Sequence, residues 1–264
     1  MSDLLQIESR GRVLRVALNR PEKRNALNAE MCRELVDVMN HANHDPHVGA
    51  ILLTGNGPVF SAGMDLQEVA HVDSHALSNV HEQLFTLGSR LGKPLVGAID
   101  GPALGGGMGL VANCHILIVS DAARFGLTEI RLGLWPFLVF QAVLTALGER
   151  RAVELALTGR VFGAAEAKAL SLVQEIVPDA AARAMEIAQG LANSSPAAIR
   201  SGLGFVEEAR GKNAAVATQI ARRVREELMA SPDFQEGIRA FLEKRKPNWP
   251  SLGLIKHNPG DPTP

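Results

Sequence analysis

Gly101-Pro102-Ala103-Leu104-Gly105-Gly106-Gly107-Met108-Gly109 follows a strand-like run at residues 95–100 and leads into a helix expected to pass through Cys114. Three successive glycines where a helix begins leave backbone N–H groups without intrahelical acceptors, facing whatever approaches that end. They also let another backbone come close, because no Cβ stands in the way. Tight helix packing and the cradling of a negative group both make use of such a run. A Walker-type phosphate cradle is excluded, since no G-x-x-x-x-G-K-[ST] occurs, and the dinucleotide fingerprint fails at Leu110.

Upstream, Phe60-Ser61-Ala62-Gly63-Met64-Asp65 ends another strand-like region in small residues that permit a turn exposing the Met64 amide. By itself this segment reads as a plain turn. Downstream, Glu129 offers a carboxylate. Two backbone donors and one proton acceptor suit chemistry that makes a negative oxygen and then moves a proton.

Around these segments the first half alternates short strands with helices. Residues 4–9 and 13–19 read as a pair turned at Gly11. Asn28 is expected to cap a helix reaching His41, with Leu35, Val36 and Met39 on one face. Residues 50–54, 95–100, 115–119 and 173–177 read as strands, and 75–90 as a polar helix. After Pro136 helices dominate, at 149–157, 164–170, 180–191, 196–209, 213–229 and 232–244, before a tail from Ser251 expected to be loose. The pattern predicts an α/β or α+β chain with layered sheets.

Composition narrows the function. The 264 residues include 46% hydrophobic and 21% charged side chains, as in soluble globular domains. A net charge of −1, aromatics at 4% and no tyrosine argue against a nucleic-acid partner. The glycine-broken apolar stretch at 101–120 is expected to be buried core, not a membrane span. Cys32 and Cys114 are expected as reduced thiols in a cytoplasmic setting, and no Cys/His spacing suggests a metal site.

Several motifs in fixed order then resemble the crotonase family, the enoyl-CoA hydratase/isomerase superfamily. They are Asn19-Arg20-Pro21 with Asn25-Ala26-Leu27, residues 60–66, residues 101–107, Asp121-Ala122-Ala123-Arg124-Phe125-Gly126, Glu129 with Gly133 and Pro136, and residues 241–247. The likeness covers about residues 4–249. It implies a crotonase-like spiral of β-β-α turns at 1–195 and a helical C-terminal trimerisation region at 196–264.

The same resemblance implies catalytic roles for Met64 and Gly106, whose amides would form an oxyanion hole, and for Glu129 as the proton carrier. It implies contact with substrate and coenzyme A for Arg24, Ala26, Leu27, Ser61, Ala62, Gly63, Asp65, Leu66, Gly105, Trp135, Phe241 and Lys244. Phe241 and Lys244 match residues that often reach a neighbouring subunit's site. Arg20, Lys23, Arg24 and residues 244–246 supply local positive charge for the CoA phosphates. No separate cofactor is implied, because coenzyme A belongs to the acyl-CoA thioester substrate. The expected assembly is a homotrimer or a dimer of trimers, with neither nucleic acid nor membrane as partner.

Two departures stand out. Gly109 occupies the position of the family's other catalytic glutamate, and Phe137-Leu138-Val139 replaces a usual glycine pair, which predicts a bulky acyl pocket. His71, His75 and His81 overhang the acyl region but read as ordinary helical histidines, and Asp65 and Asp121 read as structural turn residues. The expected function is enoyl-CoA hydratase/isomerase chemistry with one glutamate. The alternatives are a catalytically impaired CoA-thioester binder and another enolate reaction, such as decarboxylation or thioester hydrolysis.

Overall fold

The computed structural model describes residues 3–69 and 74–253. His71 and residues 254–264 lie outside the described residues.

Leu5–Arg10 (β1) and Val13–Leu18 (β2) pair antiparallel across Gly11, whose φ of +59° suits a residue without a Cβ. The Asn28 side chain accepts the Met31 N–H at 3.0 Å and so caps Ala29–His44 (α1), which runs past the expected His41. Ala50–Gly55 (β3) pairs parallel with β2. Leu66–Val69 (α2), Ser74–Phe85 (α3) and Leu87–Arg90 (α4) follow. The single helix expected over 75–90 is therefore two, broken at Thr86. Asn113 holds the break open, donating to Phe85 O at 2.9 Å and accepting Gly88 N–H at 2.8 Å.

Leu95–Ile99 (β4), Pro102–Leu104 (β5), Gly106–Ala112 (α5), Ile116–Val119 (β6) and Arg124–Gly126 (β7) build the centre. Then come Phe137–Leu147 (α6), Glu149–Thr158 (α7), Val161–Gly163 (β8), Ala164–Ala169 (α8), Glu175–Ile176 (β9) and Ala180–Ala192 (α9). Pro196–Ala209 (α10), Ala214–Met229 (α11), Pro232–Leu242 (α12) and Pro250–Gly253 (α13) complete the chain.

The larger sheet has the order β1-β2-β3-β4-β6-β9 and is parallel from β2 onward. Helices cover both faces, so β3 and β4 are apolar at nearly every position. Ile51, Leu53, Leu95 and Val119 join the main core with the inner face of α1. Leu52, Val96, Ala98 and Ile118 face Ala180, Ala184, Ala188 and Ala192, an alanine stripe that lets α9 lie close to the strands.

Layered sheets were expected, but the strands of the second sheet, β5-β7-β8, were not. Its three-residue strands lack any two-residue alternation and hold Pro102 and glycines, so nothing in them announces a strand. It positions the site, because β5 leads into α5 and β7 leads to Glu129.

At the C-terminal end, buried Asp233 accepts from the Ser195 hydroxyl at 2.6 Å and the Ser251 hydroxyl at 2.7 Å. Ser251 thus belongs to a tied helical turn, not to the loose tail expected from that residue onward. Cys32 and Cys114 form no disulfide, and burial pushes the pKa of each thiol up to about 12. Among the described residues no helix is long and apolar enough to cross a membrane.

Candidate active site

The segment 61–65 changes strand partners within three residues. Ser61 pairs with Ala103, its N–H donating to Pro102 O at 3.1 Å and its carbonyl accepting Leu104 N–H at 2.9 Å. Met64 instead lies parallel to Leu27, which donates to Gly63 O at 2.7 Å and accepts Asp65 N–H at 3.0 Å. Gly63 makes the switch at φ +89°, and a Cβ there would stand 2.7 Å from Leu104 O and 3.1 Å from Gly106 N. A side chain would fit neither the backbone angle nor the space.

In a parallel ladder the partner bonds to the residues before and after the paired one. Gly63 O and Asp65 N–H are therefore used by Leu27, and the Met64 N–H turns to the other side. It has no backbone acceptor among the described residues, and neither does Gly106 N–H at the first position of α5. Two unpartnered amides thus sit on adjoining segments.

Glu129 reaches the same place from β7. Gly105 N–H donates to Gly126 O at 2.9 Å, which locks the turn before α5 to the end of β7. Three residues later Glu129 opens a short 3-10 turn, Glu129–Leu132. A Cβ on Gly105 would meet Glu129 Oε1 at 3.3 Å, Cδ at 3.6 Å and Oε2 at 3.9 Å. Oε2 is buried with no hydrogen-bond partner. Burial raises the carboxyl pKa above 4.5, while its own backbone N–H pulls the other way. An ion pair with Arg124 or Arg131 is not formed. Arg124 donates instead to the carbonyls of Asp121 and Ala123, each at 2.8 Å. A carboxyl with one buried, unpartnered oxygen and a raised pKa beside free amides is chemically able to carry a proton.

The place of a second carboxylate is filled. A Cβ on Gly109 would lie 2.5 Å from Val139 Cγ1 and 2.8 Å from Phe85 Cδ1. Phe85 also approaches Gly106, with Cζ 3.2 Å from that residue's Cβ position. The expected bulky lining from residues 137–139 is met by Val139 alone at this point, since Phe137 is 72% exposed. Sequence reasoning missed Phe85. Its one signal was the i, i+4 spacing from His81, whose ring packs on it with centroids 5.6 Å apart.

The other expected contacts divide into groups. Arg24, Ala26 and Leu27 are drawn to Ser61–Leu66 by the Leu27 ladder and by Ala62 N–H donating to Arg24 O at 2.9 Å. Asn25 organises this junction, because its buried side chain bonds Arg20 N–H, Asn56 O and Val59 O. Ser61 is buried too, donating to Asn25 O at 2.8 Å and accepting Gly63 N–H at 3.2 Å. Asp65 pairs with Arg20 at 2.5 Å, which holds its carboxyl below the usual range. Arg24 and Leu66 remain exposed. Trp135 is half-buried against Phe140. Phe241 and Lys244 stand apart at the end of α12, and no contact among the described residues joins them to Glu129.

The family model described as enoyl-CoA hydratase/isomerase matches residues 8–252. The chain belongs to the enoyl-CoA hydratase/isomerase family. It is 35% identical over 259 residues to the enoyl-CoA hydratase EchA19 of Mycobacterium tuberculosis, covering 92% of this chain and 95% of that one. It is 34% identical to the 2,3-dehydroadipyl-CoA hydratase of Escherichia coli K12, over 94% and 99% of the two chains. The crystal structure of an enoyl-CoA hydratase from Bacillus anthracis superposes with a TM-score of 0.88 at 30% identity, over 93% and 98% of the two chains. The crotonase fold and an acyl-CoA enzyme of hydratase/isomerase type, read from the motif order, both hold.

Proposed function

We propose that the Met64 and Gly106 amides bind one thioester oxygen, and that Glu129 carries the proton between carbons of the acyl chain. The observation that carries this reading is the buried, unpartnered Oε2 of Glu129 beside the residue that precedes the Gly106 amide. Removing a proton next to a thioester places charge on its oxygen, and each preorganised donor there contributes roughly 3 kcal/mol. The neighbouring carboxylate adds about 10²–10⁴-fold through positioned proton transfer. Backbone donors explain why residue 64 is free to be methionine. With Gly109 lacking a side chain and its surroundings apolar, Glu129 is the carboxylate among the described residues to which the reaction falls.

Coenzyme A is part of the substrate and no separate cofactor is required. Lys23, Arg24, Lys244 and Lys246 are the basic residues of this set left for its phosphates, because Arg20 is held by Asp65 and Arg245 by Glu236 and Glu243, whereas Lys23 donates only to the neutral Gln67 side chain. Phe241 and Leu242, 81% and 73% exposed on α12, would be covered in a homotrimer or a dimer of trimers. Such an assembly would bring Phe241 and Lys244 to a neighbouring site. The working compartment is the cytoplasm.

The test is exchange of the C-2 protons of a saturated acyl-CoA in heavy water, followed by mass spectrometry. Exchange that Glu129→Gln abolishes supports the reading. A chain that binds the ester yet exchanges nothing overturns it.

A further inference from the structure

The volume that a side chain at position 109 would occupy is built as an apolar plug from two separate helices. Phe85 ends α3 and Val139 lies in the first turn of α6, and they are 6% and 4% exposed. Their atoms come within 2.9 Å of where a Gly109 Cβ would stand. The Phe85 ring is wedged further by Gly106 below it and by the tilted ring of His81 one turn earlier.

Phe85 also borders a cleft of about 360 Å³ whose lining includes Asn113, Gln141, Thr145 and Gln174. A cleft of that size, with amide and hydroxyl groups on its wall, is roomy and polar enough to admit water. Phe85 therefore borders both this polar cleft and the turn of α5 that carries Gly106 and Gly109.

We propose that Phe85, backed by Val139, decides the outcome of the reaction by keeping water from the β-carbon of a bound enoyl thioester. This inference rests on Glu129 being the proton carrier. In a 3-enoyl thioester Glu129 takes the C-2 proton, and the electron pair spreads through a dienolate to the thioester oxygen. The proton returns at C-4 and the double bond comes to rest between C-2 and C-3, with no atom gained or lost. Hydration instead needs a water oxygen to bond C-3 while a proton adds at C-2. That water must be held by a polar group, and Phe85 and Val139 present only ring and methyl carbons, with the unpartnered Nε2 of His81 on the ring behind Phe85.

The experiment follows a 3-enoyl-CoA and a 2-enoyl-CoA with the full chain, reading product masses and, in parallel, C-2 exchange of a saturated acyl-CoA in heavy water. The wild type is expected to isomerise faster than it hydrates. Phe85→Ala is expected to raise the ratio of hydrated to isomerised product about tenfold, equivalent to about 1.4 kcal/mol between the competing barriers. Phe85→Leu, which keeps apolar bulk, is expected to stay within about twofold of the wild type.

An unchanged ratio in Phe85→Ala, or an equal rise in Phe85→Leu, overturns the proposal, as does a wild type that mainly hydrates. Circular dichroism reports folding. If Phe85→Ala does not fold, Val139→Ala carries the same expectation, and an unchanged ratio there overturns the proposal as well. Retained C-2 exchange with an unchanged ratio counts against the plug alone, whereas a wild type without exchange overturns the underlying reading of Glu129 and this inference with it.

Discussion

Oε1 of Glu129 lies 3.3 Å from the point where a β-carbon of Gly105 would stand, one residue before the unpartnered Gly106 amide. The glycine makes the approach possible, and the β5–β7 pairing brings the two residues together. A carboxyl that is buried without a partner is costly to hold, and such groups collect where chemistry needs them.

Glu129→Gln is expected to lower turnover by about 10²–10⁴-fold, because the amide keeps the shape and loses the base. Affinity for an acyl-CoA ester should survive. Steady-state kinetics together with calorimetric titration checks both; wild-type rates in the variant would remove the assigned role.

Burial raises the Glu129 pKa, so the acid limb of kcat/KM should lie above the ordinary 4.5. Stability has the matching sign. A carboxyl whose folded pKa is raised binds its proton more tightly in the folded state, so that contribution is full below pH 4.5 and lost as pH rises through the folded pKa. Glu129→Gln should therefore be more stable than wild type at neutral pH, with the difference shrinking toward acid. Urea denaturation of both proteins across pH measures it.

Gly105→Ala places a Cβ against the Glu129 carboxylate at a φ of +53°, ψ −120°. The backbone strain should cost about 1–3 kcal/mol. Activity should fall further than stability alone explains, since the carboxylate is displaced. Melting temperature and kcat, measured on the same preparation, separate the two losses.

Gly109→Glu does not install a second catalytic acid. The new side chain would meet Val139 and Phe85 before reaching any substrate, and overpacking should cost about 1–3 kcal/mol before any charge is buried. Thermal denaturation should show the loss, and hydration of a 2-enoyl-CoA should not increase.

If the proposed trimer uses this face, Phe241→Glu and Leu242→Glu should release protomers from it, because each puts a charge into an exposed apolar face that a partner would cover. Light scattering after size exclusion reads the mass. An unchanged oligomer would place the interface elsewhere.

Much of this chain is legible in its residues because the signals are local. Asn28 caps α1 through a bond three residues away, Gly11 turns a hairpin, and the alanine spacing of α9 marks a buried helix face. Met64, Gly106 and Glu129 could be named because motif order carries over along a chain. The three-residue strands β5, β7 and β8 could not, since they are too short for a period and exist only through one another. The break at Thr86 escaped for a similar reason: Asn113, far along the sequence, satisfies the backbone on both sides of it.

Sequence alone determined the family and the strand–helix alternation and singled out Glu129 as the candidate proton carrier, because side-chain chemistry and local backbone preference are written residue by residue. Tertiary structure alone decided that Oε2 of Glu129 is buried without a partner, that Asp65 and Ser61 are held inside the scaffold, and that Phe85 and Val139 fill the space beside Gly109. Burial and packing arise between segments distant in sequence, and no single stretch of the chain contains them.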